Sequence, residues 1–240
     1  ALTSSQVAAL SSSAFAALST AGLAAISSSA AAGISTAQIG TLDTAEVQAL
    51  GTGVSNLGTA AVASLTTDQV AALSTAQLNA LDSADVAALN DAAVTSLTSS
   101  QVAALNTDGF SGLSTTDLTA LSSSAVAGIT AGQIGTLDAA DVQALGTDVA
   151  NLGTAAMGTL STAQVGNLTT AQLNALDSAD VAALNDAAVT SLTSSQVAAL
   201  STNGFSGLST TDLNALSSTA VTGITPAQIG TLDAAEVQAL

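Results

Sequence analysis

The chain has 240 residues, 17 of them Asp or Glu and none of them Lys, Arg, His, Cys, Trp or Tyr, which leaves a formal charge of −17. That composition removes most general acids and bases and activated nucleophiles, the usual zinc ligands, and the cations that neutralise nucleic-acid phosphates or anionic lipid surfaces. We therefore expect no enzyme, no catalytic, metal or cofactor-binding residue, no cofactor, no nucleic-acid partner and no anionic-membrane partner.

Cysteine is absent, so no disulfide framework is available, and without cations no opposite-charge bridge forms. Yet 48% of the residues are apolar and only 7% are charged, which lies outside the disordered regime. The fold must rest on apolar stacking and backbone hydrogen bonds. Ala1 is not an initiator methionine, and the chain is expected to be a slice of something longer or a processed product.

From the N-terminus, Leu or Ile recurs every eight residues: Leu2, Leu10, Leu18, Ile26, Ile34, Leu42 and Leu50, then Leu57, Leu65 and onward to Leu240. A fixed short period over a whole chain predicts a solenoid in which each unit stacks on others. The first octad pairs Thr3 with Gln6, and Ser35 with Gln38 follows. This is the capping-box spacing, in which a hydroxyl and an amide each satisfy a free N–H at a helix start. Asp43 with Glu46 is the acidic version, suited to the positive end of a helix. The interval Leu50–Leu57 then drops one residue at Gly51-Thr52-Gly53, a slip expected to relieve twist or bend the array.

Thr66 with Gln69, Ser74 with Gln77 and Asp82 with Asp85 resume the boxes. Asp138 with Asp141 precedes the second seven-residue interval, Leu145–Leu152, at Gly146-Thr147-Asp148; the two slips lie 95 residues apart. Ser161 with Gln164, Asp177 with Asp180, and Asp233 with Glu236 complete the series. Pro226 follows Thr225 and falls at the first helical position, where proline is favoured. Each octad thus reads as a capped helix of about one and a half turns, too short to persist without packing on its neighbours. The fold class predicted is an all-α solenoid of very short capped helices, one per octad. A β-solenoid is the alternative, but its strands would alternate at period two with β-branched residues.

The fifth position carries a slower rhythm. Gln occupies it at Gln6, Gln38, Gln69, Gln101, Gln133, Gln164, Gln196 and Gln228, and Ala at Ala30, Ala61, Ala93, Ala125, Ala156, Ala188 and Ala220. Vertical stacking of these residues predicts about four octads per coil, and a rod of roughly 60–75 Å at about 8–10 Å per layer. The core expected is the Leu/Ile ladder with the sixth-position ladder, which holds the three aromatics Phe15, Phe110 and Phe205 as buried space-fillers. The domain reading is one continuous array, 1–240, with super-repeats 2–96, 97–191 and a partial 192–240.

Two binding chemistries need weighing. The acidic pairs supply few of the six to eight oxygens calcium takes, and helix capping accounts for both acids of each pair. The second-position Ser/Thr ladder resembles a hydroxyl array able to order water, but capping uses the same hydroxyls.

The tracts Leu168-Thr169-Thr170-Ala171-Gln172-Leu173-Asn174-Ala175-Leu176 and Leu192-Thr193-Ser194-Ser195-Gln196-Val197-Ala198-Ala199-Leu200 resemble the octad-repeat tracts of very large bacterial secreted proteins of the adhesin and exoprotein kind. The resemblance covers the whole chain and implies an exported, surface-associated or matrix-forming stalk, located extracellularly or at the cell surface. It carries over no functional residue. The function expected is a structural rod, stalk or filament; the alternative is an adhesive or ice- or calcium-contacting array. The partner expected is another part of the same array, through end-to-end self-association or continuation of a longer chain.

Overall fold

The computed structural model describes residues 2–240, which divide between Ala125 and Val126 into two compact units. The described residues contain 28 α-helices and two 3₁₀ helices and no strand, with one helical element per octad. The α-helices are four to six residues long. The all-α solenoid is therefore the observed architecture within each unit.

Each helix begins where the sequence places its cap. Thr66 is extended at φ −76°, ψ 161°, its Oγ1 accepts from the Gln69 N–H, and the Gln69 side chain accepts from the Thr66 N–H. Thr3/Gln6, Ser35/Gln38, Ser74/Gln77 and Ser161/Gln164 close the same reciprocal box. Asp43/Glu46, Asp82/Asp85, Asp138/Asp141, Asp177/Asp180 and Asp233/Glu236 close it with carboxylates. Pro226 stands in the first turn after the Thr225 cap. A cap of this kind contributes about 1 kcal/mol, and here it also turns the chain, because extended residues such as Leu81 and Asp82 separate one helix from the next.

The inward face of an interior octad has three rows. In the ninth octad Leu65, Gln69 and Val70 are buried while Thr66, Thr67, Asp68 and Ala71 are exposed. The first- and sixth-position ladders are the expected core, and Phe15, Phe110 and Phe205 are fully buried in the latter. The fifth position is buried as well, and it is often polar.

Within the first unit the Ser83–Ala88 helix packs on Thr59–Ala63 and on Thr107–Phe110; within the second, Ser178–Ala183 packs on Thr154–Met157 and Thr202–Phe205. Packing partners are thus three elements apart. Side-chain hydrogen bonds between coils span 24 to 31 residues. One coil therefore closes after between three and four octads, slightly short of the four expected. The expected glutamine column is retained as near neighbours: the Gln38 amide meets the carbonyl of Val7, the residue after Gln6, and the Gln69 amide meets that of Ile39, the residue after Gln38. Since a coil holds no whole number of octads, the Gln38 amide sits over the junction between two earlier helices, where it adds a second donor to the Val7 carbonyl, which already accepts from the Leu10 N–H, and also donates to the Leu10 carbonyl.

The two seven-residue slips have a local cause. Gly51 and Gly146 are the positive-φ residues of the described chain, at 54° and 56°. Each follows a helical Leu directly, so the extended cap is replaced by a left-handed glycine that stops one helix and opens a 3₁₀ helix, Gly51–Asn56 or Gly146–Asn151. The 3₁₀ rise of about 2.0 Å per residue, against 1.5 Å in an α-helix, makes up for the missing residue. Val54 and Val149 stay fully buried. Nothing within 4 Å would meet a Cβ at Gly146, so Gly146→Ala should cost only the left-handed penalty, about 1–2 kcal/mol. A urea-unfolding midpoint equal to that of the parent chain would contradict this.

Candidate functional site

The fifth-position side chains are the feature with the most chemistry. In Gln164, Oε1 accepts from the Ser161 N–H at 2.7 Å and closes the helix's own cap. Its Nε2 donates across to the carbonyls of Ile134 at 3.1 Å and Leu137 at 2.8 Å in the coil before. Gln38 does the same toward Val7 and Leu10, Gln101 toward Val70, Ala71 and Leu73, and Gln228 toward Val197 and Leu200. One neutral amide therefore supplies an acceptor to a helix start and donors to a helix end. Cations that often serve helix C-termini are absent from this chain, and the amide takes their place.

Cap asparagines work similarly from the second position. Asn106 Oδ1 accepts from Gly109 N–H at 2.9 Å, and its Nδ2 donates to the carbonyls of Asn79 and Leu81 in the coil before. Asn185 repeats this with Ala188, Gly158 and Leu160. An outer row reaches the other way: Gln48 donates to Ala72, Asn79 to Ala104, Gln143 to Asn167 and Asn174 to Ala199. Among the described residues no buried side-chain N or O lacks a hydrogen-bond partner. Reading Gln only as the second half of a capping box misses this bridge. Its signal in the sequence is the recurrence of Gln, rather than Glu, at a position whose cap geometry accepts either.

The acidic pairs are cap pairs. Asp85 N–H donates to Asp82 Oδ1 at 2.9 Å, and Asp82 N–H to Asp85 Oδ2 at 3.3 Å. No group of three or more Asp or Glu among the described residues is placed to hold a metal ion, and the described surface has no pocket. The second-position hydroxyls face helix starts: Thr98, Ser114 and Thr193 accept from the N–H three residues on.

Burial pushes the carboxyl groups of Asp85 and Asp180 above the ordinary carboxylate range; a backbone hydrogen bond pulls the other way, and the neighbouring Asp82 or Asp177 charge adds to the rise. An acid whose pKa is raised on folding binds more protons folded than unfolded, so stability should increase as pH falls through the raised value toward the ordinary one. No side-chain cation is present to pair with these acids, because the chain has no Lys, Arg or His. We expect a higher melting temperature at pH 4.5 than at pH 7 in low salt. Asp85→Asn should raise the pH 7 value by a gain on the order of 0.5 kcal/mol, the scale of a like-charge helix pair, and do little at pH 3. A melting temperature that falls steadily on acidification would contradict both.

The ALTTAQ repeat model matches residues 54–83, 78–115, 147–178 and 173–210, together more than half of the chain. The chain belongs to the ALTTAQ repeat family. In Ala72-Leu73-Ser74-Thr75-Ala76-Gln77 the ALTTAQ letters recur with Ser for the first Thr, and the structure shows what they do. Leu73 is buried in the core ladder, Ser74 caps the helix, and Gln77 closes the box and donates to the Val47 carbonyl at 3.0 Å. The ALTTAQ motif here is thus a core residue, a cap and an inter-coil bridge in six positions. No curated protein matches the chain, and no helix among the described residues is long and apolar enough to cross a membrane.

Proposed function

We propose that this ALTTAQ repeat chain is a structural spacer, an extended rod or stalk that works outside the cell or at a bacterial cell surface, and that it is not an enzyme. The observation that carries the reading is the use of the buried polar groups. Glutamine amides, cap hydroxyls and cap carboxylates are consumed in closing helices and tying coils together, a regular pattern that repeats along the chain and concentrates at no single place. Catalysis works in the opposite way, by gathering perturbed groups into one cleft. The acidity and the lack of cysteine suit an exported protein, and the absence of Lys and Arg denies trypsin-like proteases a cleavage site.

Small-angle scattering of the 240-residue chain, with antibody labelling of intact producing cells, tests the proposal. A globular chain of this length has a radius of gyration of about 18 Å, and a spacer should exceed it clearly. A radius at or below that value, or labelling seen only after lysis, would refute the corresponding half.

A further inference from the structure

The coil beneath fixes a glycine at two equivalent places. A Cβ at Gly109 would stand 2.7 Å from the Leu81 carbonyl oxygen, and one at Gly204 would stand 2.7 Å from that of Leu176. Both glycines are buried in four-residue helices, Thr107–Phe110 and Thr202–Phe205. The residue before the glycine is exposed in both cases, but it is Asp108 in one and Asn203 in the other. Asn203-Gly204 is the one Asn-Gly step in the sequence.

Asp108 reaches the adjoining coil. The Ser83 N–H donates to its Oδ2 at 3.4 Å, and the Ser83 hydroxyl to its Oδ1 at 3.3 Å. The carboxylate thus stands at the start of the Ser83–Ala88 helix, where negative charge is favoured. Ser178 is the counterpart of Ser83 in the next super-repeat. Asp177 accepts from the Ala179 and Asp180 N–H groups and leaves that of Ser178. The Asn203 side chain makes no hydrogen bond to the described residues.

Asparagine before glycine is prone to ring closure, because no Cβ hinders approach of the next backbone nitrogen. The Gly204 nitrogen gives up its proton and attacks Cγ of Asn203. A C–N bond forms, the Cγ–Nδ2 bond breaks, and ammonia leaves with that proton. Water then opens the cyclic imide. Opening at Cγ gives aspartate; opening at the backbone carbonyl routes the main chain through Cβ and Cγ. One water enters and one ammonia leaves, with no oxidant or reductant. The wound helix opposes the first step. Ring closure needs the Gly204 nitrogen nearly eclipsed with the Asn203 Cβ, which helical torsions exclude, and the Gly204 N–H is held by Ser201 Oγ at 3.0 Å.

We propose that Asn203 is a latent self-modification site. It is shielded while Thr202–Phe205 is wound and reacts when that helix opens, and its aspartyl product makes with Ser178 the bonds that Asp108 makes with Ser83. A four-residue helix opens locally at less cost than global unfolding. The β-linked product cannot re-form the helix, since its extra main-chain carbon falls directly before Gly204 and the fully buried Phe205. Residue 203 therefore records whether this coil has been open.

The whole chain is incubated in mildly alkaline buffer, folded and in urea above the unfolding midpoint, and followed by peptide mass spectrometry with isoaspartyl-specific methylation. Unfolded chain should convert at Asn203 ahead of every other asparagine, and folded chain should convert there at least about tenfold more slowly. Ser201→Ala, checked by circular dichroism, should speed the folded reaction about fivefold, the change in opening expected from loss of a cap, and leave the unfolded rate unchanged. Urea below the midpoint should speed it in the parent chain, which tests the same opening should the variant not fold. Asn203→Asp should slow hydrogen exchange at the Ser178 amide. Equal folded and unfolded rates, no response to cap removal or to sub-midpoint urea, or Ser178 exchange unchanged in Asn203→Asp would each overturn the proposal.

Discussion

Replacing Gln164 by Glu should destabilise the chain by about 3–5 kcal/mol at pH 7, the scale of stranding one buried charge. The Glu carboxylate keeps the acceptor for the Ser161 N–H but faces the carbonyls of Ile134 and Leu137 with no proton to give them. Protonation restores a donor, so the folded-state pKa must rise. The deficit should be full above that raised value and should disappear as pH falls below the ordinary Glu value of about 4.3. Gln164→Leu separates charge from hydrogen bonding: it takes the partner from the Ser161 N–H and from the Leu137 carbonyl, while the Ile134 carbonyl keeps the Leu137 N–H, so it costs about 1–3 kcal/mol and shows no such pH recovery. Urea midpoints at pH 7 and pH 4 for the two variants decide it. Equal, pH-independent losses would mean that the amide is packing material and not a bridge.

Gly112→Val should be about as damaging, for a steric reason. A Cβ at Gly112 would lie 2.2 Å from the Ser83 carbonyl oxygen, and at Gly207 the corresponding distance to Ser178 is 2.3 Å. These are backbone atoms of the adjoining coil, so nothing flexible can yield, and the coils must separate. Overpacking costs about 1–3 kcal/mol, and we expect the upper end, a fall of roughly 6–12 °C in melting temperature for a chain of this size. Gly166 is the control. It ends the Thr162–Gly166 helix, and a Cβ there has only Ser191 Oγ nearby, at 3.9 Å. Gly166→Ala should be neutral or stabilise by up to about 1 kcal/mol. Equal responses at positions 112 and 166 would remove the close approach from the account.

Helix starts were legible residue by residue because capping is local: Thr66 and Gln69 are three apart, and the two cap bonds between them need no other part of the chain. Leu65 and Val70 were legible as core for the related reason that the period exceeds any accident of composition. The slips at Gly51 and Gly146 were visible as deletions, but the left-handed turn and the 3₁₀ helix that absorb them were not. A missing residue does not say which torsion angles replace it.

What the sequence by itself determined is the class of fold: short capped helices, one per octad, with two apolar rows turned inward, in a chain without the side chains most site chemistry uses. Only the tertiary structure decided what lies beneath each octad. The coil closes between three and four octads, so the Gln amides land on helix ends of the preceding coil, and Gly112 meets a backbone where Gly166 meets nearly open space. Caps are set by torsions and bonds within four residues. Coil register is set by how three buried rows pack across some 24 to 31 residues, a balance of many small contacts that no single motif encodes.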